Sequence, residues 1–125
     1  MKTKTLLLVA HGSKEKSANL EFKKLVGKYR HRHPRWKITF AFLELAKPSI
    51  PEALESLVKP GKPETLLVLP LFLFAARHVK KHIPEILYAF QRKHPHVKIQ
   101  LTPPLGSDQK LLDILDLRAS HNTLR

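Results

Sequence analysis

Three residues of this chain could hold a divalent metal. His11, Glu44 and His78 each follow an apolar run. Two imidazoles and one carboxylate suit a borderline ion such as cobalt, nickel, iron(II) or zinc. The residues are 33 and 34 positions apart, one strand–helix unit each, which would bring neighbouring strand ends together. Each residue alone is a weak signal. A single His after a strand is more often a loop or capping residue, and Glu44 alone reads as surface charge. Gly12 and Ser13 could form an anion-binding turn into a helix. They lack a full glycine-rich fingerprint, which argues against a nucleotide site.

The elements that must position these residues alternate along the chain. Lys4 to Ala10, Lys37 to Leu43, Thr65 to Leu71 and Val97 to Leu101 read as strands. The first and third are apolar almost throughout, as strands covered on both faces require. Ser17 to Arg32 reads as a helix with Ala18, Phe22, Leu25, Val26 and Tyr29 on one face. Ser49 and Glu52 have capping-box spacing, with Pro51 in the first turn of a helix reaching about Val58. Val79, Ile83, Ile86, Leu87 and Phe90 form another helical face, and Pro84 predicts a regular start only near Ile83. Ser107 or Asp108 caps a last helix carrying Leu111, Leu112, Ile114 and Leu115.

The sum predicts one α/β domain over residues 1–120, with a four-stranded parallel sheet flanked by helices and a frayed tail at 121–125. Ligands of such sheets bind beyond the carboxyl ends of the strands. His11, Glu44, the Phe72 to His78 loop and the Pro104–Leu105–Gly106 turn share that edge. His31, His33, His94 and His96 fall at the opposite edge and, with His121 in the tail, read as solvated.

Composition limits the chemistry. The 125 residues include no cysteine, so thiolate metal sites and disulfides are excluded. The apolar run at the start is too short for a signal peptide or a span, and a cytoplasmic location is expected. A formal charge of +13 and a pI near 10.3 favour an anionic partner, or else a merely solvated coat of lysines. Tyr29, Trp36 and Tyr88 do not cluster in sequence, which disfavours a nucleic-acid stacking platform.

Four blocks carry a family resemblance. Leu6 to Ser13 (LLLVAHGS), Phe42 to Ile50 (FLELAKPSI), Pro70 to Val79 (PLFLFAARHV) with Ile83–Pro84, and Pro104–Leu105–Gly106 with Leu111 to Leu115 and Arg118 resemble, in order, the CbiX-type class II tetrapyrrole chelatases in their short form. The resemblance implies the chelatase-like α/β fold and metal insertion into sirohydrochlorin, a reduced tetrapyrrole with eight carboxylic acid side chains. It implies no nucleotide, no permanently bound cofactor, no membrane or nucleic-acid partner, and a homodimer that forms the cleft. Cobalt, for cobalamin, is the expected metal. Iron or nickel insertion is an alternative, as is a non-catalytic protein that binds tetrapyrrole or metal. His11 and His78 match the family's motif histidines and Glu44 its acidic metal-site position. Gly12, Ser13, Phe72, Leu73, Phe74, Leu105 and Gly106 are the expected substrate contacts. The chain departs from the family pattern at Ala76, where Gly is usual, at His82, where an acid is common, and at Ser107–Asp108, where a His–Pro pair is common.

Overall fold

The computed structural model of the protein describes residues 3–74, 76–121 and 124, without the side chain of His78. Eight elements alternate: β1 (Thr5–Ala10), α1 (Lys16–Arg32), β2 (Lys37–Phe42), α2 (Ile50–Leu57), β3 (Glu64–Pro70), α3 (Arg77–Lys93), β4 (Val97–Leu101) and α4 (Gln109–Ala119). The strands form one parallel sheet in the order β2-β1-β3-β4. The expected α/β class, strand number and connectivity are all present. Of the expected tail, Asn122, Thr123 and Arg125 lie outside the described residues. Among the described residues no helix is long and apolar enough to cross a membrane.

Two cores sandwich the sheet. On one face α2 and α3 pack Ile50, Leu54, Val79, Ile83 and Leu87 against Leu7, Val9, Leu66 and Val68. On the other, Phe22 and Val26 of α1 pack against Leu6, Leu8, Ile38 and Phe42. Burying each such side chain contributes roughly 1.5–3 kcal/mol. Leu25, placed by periodicity on the inner face of α1, is instead 48% exposed. The last helix forms as expected, with Asp108 accepting from the Lys110 N–H at 2.9 Å, yet none of its residues is buried.

Pro84 does not delay α3. The helix starts at Arg77 and runs through the proline, although a proline inside a helix costs about 3 kcal/mol. Val79, Ile83, Leu87 and Phe90 are all buried along one stripe, and that burial outweighs the lost hydrogen bond. His78 and His82 are therefore one helical turn apart in the backbone, and His82 is exposed.

The opposite-edge histidines are not simply solvated. His33 stacks on Trp36 with centroids 3.7 Å apart. His94 stacks on Phe90 at 4.2 Å and meets Glu55 at 3.1 Å. The Nε2 of His96 is buried without a hydrogen-bond partner. His31 and His121 are exposed. Helix–strand connections here fold back on the core, so flat imidazoles fill gaps beside aromatic rings. Tyr29 and Trp36 do meet, at 6.0 Å, but both pack against the second core and form no open platform.

Candidate functional site

The carboxyl edge is assembled by hydrogen bonds that extend the sheet beyond its strands. The Glu44 N–H donates to the His11 carbonyl at 3.0 Å, and the Leu71 N–H to the Val9 carbonyl at 2.7 Å. The Leu105 N–H donates to the Phe72 carbonyl at 2.9 Å. These bonds stitch the ends of all four strands into one rim.

His11 and Glu44 thereby become neighbours. The His11 Nε2 stands 3.8 Å from the Glu44 Oε1, with the two side chains 43% and 49% exposed. His11 Nδ1 lies 3.1 Å from the Gly12 carbonyl. A carbonyl only accepts, so Nδ1 carries the proton and the Nε2 lone pair is free for a metal. The 3.8 Å gap is too long for a hydrogen bond. A metal bonded at about 2.1 Å to both atoms would hold them roughly 3.0–3.4 Å apart at tetrahedral or octahedral angles. Closing the pair by about half an ångström would therefore accommodate the ion. The Phe72 and His11 rings stand at 72° to each other with centroids 6.4 Å apart, so an aromatic ring flanks the imidazole.

The backbone of this rim is constrained. Gly12 has φ +96°, and a Cβ on it would lie 1.8 Å from the Glu44 carbonyl oxygen. Leu45, next to Glu44, has φ +67°, a left-handed conformation that costs a branched side chain of order 1–2 kcal/mol. The return bond from the Phe42 N–H to the Pro48 carbonyl at 2.8 Å closes that loop and holds the turn in place.

Ser13 is spoken for. Its N–H donates to Asn19 Oδ1 at 3.0 Å, its carbonyl accepts from Asn19 Nδ2 at 2.8 Å, and its hydroxyl accepts from the Glu15 N–H at 3.0 Å. The Ser13 amide is therefore not open to an anion, and the visible job of this turn is to fix His11. Asn19 was not among the residues expected from sequence. Its only sequence signal is a carboxamide one turn into a helix that follows a short loop.

Of the remaining expected residues, Leu73 and Phe74 are exposed apolar groups beyond β3, and Leu105 is 44% exposed. Gly106 turns at φ +60°. A cavity of about 320 Å³ opens beside Phe72, lined by Val79, Ile83, Pro84, Leu101 and Pro103. Ala76 precedes α3 without a side-chain cap, so the first-turn amides of α3 add positive potential to Arg77, Lys80 and Lys81. Among the described residues no group of three His, Asp or Glu could hold a metal. The backbone of His78 lies in the first turn of α3, and its side chain is outside the description.

The sequence model of the CbiX family matches residues 5–122. The chain belongs to the CbiX family. A sirohydrochlorin cobaltochelatase of Sulfolobus acidocaldarius is 36% identical over 116 residues, covering 91% of this chain and 88% of the relative. A chloroplastic sirohydrochlorin ferrochelatase of Arabidopsis thaliana is 30% identical over 116 residues, covering 93% of this chain. The chain spans only about half, 51%, of that relative. The solved structure of SirB from Bacillus subtilis with Fe3+ superposes with a TM-score of 0.82 at 30% identity, over 94% of this chain and 46% of that one. The resemblance read from the four sequence blocks is thus borne out at the level of the CbiX family.

Proposed function

We propose that this protein inserts a divalent metal into sirohydrochlorin in the cytoplasm, with Co2+ as its metal, Fe2+ as the alternative, and no permanently bound cofactor. One observation carries the reading: His11 and Glu44 face each other at the sheet's carboxyl rim, with the His11 proton held on the Gly12 side. Insertion must release M2+ to the ring and remove two pyrrole N–H protons. His11 Nε2 and Glu44 hold the entering ion, and His78 completes the set from α3. A neutral imidazole binds weakly enough to let the ion go, and a free imidazole or carboxylate accepts a departing proton. Phe72, Leu73, Phe74 and Leu105 offer flat apolar surface for the macrocycle. Gly12, Ser13 and Gly106 shape the loops around it. The uncapped start of α3 and its basic residues suit the substrate's carboxylates.

One copy offers a single wall. We read the working unit as a homodimer in which two such rims enclose the ring. The family relatives that are twice as long are consistent with this reading.

The test is an absorbance time course of sirohydrochlorin with Co2+, Ni2+ or Fe2+. His11→Ala, Glu44→Gln and His78→Ala are each expected to slow insertion at least about tenfold while the fold persists. Near-wild-type rates for His11→Ala and Glu44→Gln would remove the proposed site. The fastest metal with the wild-type protein discriminates cobalt from the iron and nickel alternatives.

A further inference from the structure

The helix α4 forms no layer with any other described element. None of its residues is buried, and Leu112, Ile114, Leu115 and Leu117 are 55%, 46%, 55% and 58% exposed. An isolated helix of this length is marginal in water, so its apolar face needs a cover.

The sheet has a matching gap. Leu66, Val68, Val97 and Ile99 belong to the α2–α3 core. Strand alternation therefore puts Leu67, Leu69, Lys98 and Gln100 on the other face. There α1 covers the β1–β2 half. Leu67 and Leu69 are only part-buried at its margin, and Thr65, Lys98 and Gln100 are exposed. Two strands are about 10 Å wide, the diameter of one helix.

The connection leads α4 away from the rim, and α4 forms no layer on its own sheet. The Leu105–Phe72 hydrogen bond pins the loop to the rim. Gly106 then turns at φ +60°, and Asp108 caps the helix. Charge also fits: Asp116 borders the Leu112 and Leu115 face, and Lys98, paired with Thr65 on the edge strand, lies diagonal to Leu67 on the side away from Leu69.

We propose that α4 of each protomer lies across the β3–β4 half of the sheet in a second copy. Leu112 and Leu115 pack on Leu67 and Leu69, and Asp116 faces Lys98. Each helix is about 16 Å long. Reciprocal docking buries on the order of 1,500 Å² in total, the scale of a stable interface. Because α4 departs from the rim, the exchange brings the second copy beside the cleft. The proposal rests on the two-copy reading above.

The absence of native cysteine allows a direct test with the full chain. Lys98→Cys combined with Asp116→Cys should oxidise to a covalent dimer on a non-reducing gel. A fast-migrating monomer with an internal disulfide would overturn the proposal by showing that α4 covers its own sheet. A dimer by light scattering that fails to cross-link would also overturn it, while leaving the two-copy cleft standing. A second pair works without oxidation. Lys98→Glu and Asp116→Lys should each weaken dimerisation at least about fivefold, and together should restore it. Singles that dimerise like wild type would sink the placement.

Discussion

Gly12 passes directly under the carbonyl of Glu44: a methyl group on its Cα would stand 1.8 Å from that oxygen. The β1 end and the β2 end can carry neighbouring His11 and Glu44 only because nothing projects between them. Gly12→Ala must push the Glu44 strand away and hold alanine at φ +96°, at a cost above about 2 kcal/mol. The expected result is a lower melting temperature and a larger fractional loss in metal insertion than in stability. A variant with both properties unchanged would show that the two strand ends are not held at this separation.

Asn19 holds the other side of the same turn. Its carboxamide both accepts from and donates to the backbone of Ser13. Asn19→Leu removes both bonds and should cost about 1–3 kcal/mol, whereas Asn19→Asp keeps the acceptor and should cost roughly half as much. If the clamp positions His11, kcat should fall in the same order while the KM for sirohydrochlorin changes little. Equal losses in the two variants would show that the bond accepted from the Ser13 N–H contributes nothing.

Much of this was legible from residue order. Alternating apolar runs fixed the parallel sheet, because only strands buried on both faces lack polar alternation. The one-unit spacing from His11 to Glu44 anticipated their contact, because each strand–helix unit returns the chain to the same edge. Three features were not legible. Pro84 reads locally as the mark of a helix that starts only near Ile83, but its effect is overruled by the buried Val79–Ile83–Leu87–Phe90 stripe, a tertiary effect. His33 and His94 look polar in sequence, yet they stack on Trp36 and Phe90 that lie three and four residues away. The Asn19 clamp depends on where a loop returns, which no periodicity encodes. Gly12 has the sequence setting of an anion-binding turn, whereas its role in the structure is to clear space for the Glu44 backbone.

The basic charge gives a prediction about the cleft. Arg77, Lys80 and Lys81 are exposed on the first turns of α3, beside the rim. If they attract the substrate's carboxylates, raising salt from about 0.05 to 0.5 M should raise KM, since the Debye length falls from about 14 to about 4 Å. The kcat should change less, because the reacting atoms are within direct contact distance. Lys80→Gln with Lys81→Gln should flatten the salt dependence. A KM independent of salt in the wild-type protein would reduce the +13 charge to a solvated coat.

The capping box of α2 supplies a pH-dependent prediction away from the site. Glu52 Oε1 accepts from the Ser49 N–H at 2.9 Å, while Ser49 Oγ accepts from the Glu52 N–H at 3.2 Å. The backbone bond from Ser49, then its side chain, and the charge of Lys47 together hold the Glu52 carboxyl below its ordinary value of 4.5. A carboxyl lowered by folding stabilises the folded state when ionised. That contribution is fully present above pH 4.5 and is lost as pH falls through the lowered folded-state value. Ser49→Ala removes the helix cap and should cost about 1 kcal/mol at pH 7. The same variant should lose slightly less stability than the wild type between about pH 5 and 3, because its Glu52 keeps the backbone N–H of residue 49 but loses the Ser49 hydroxyl. Urea melts at pH 7, 5 and 3.5 measure both effects. Parallel pH profiles for the two proteins would mean that the Ser49 hydroxyl does not contribute to the Glu52 titration. Since α2 packs Ile50, Ala53, Leu54 and Leu57 into the core beneath β1, a loosened cap should also reach the rim. We expect a small loss in insertion rate that stays level from pH 5 to 7, where the Glu52 contribution is already complete.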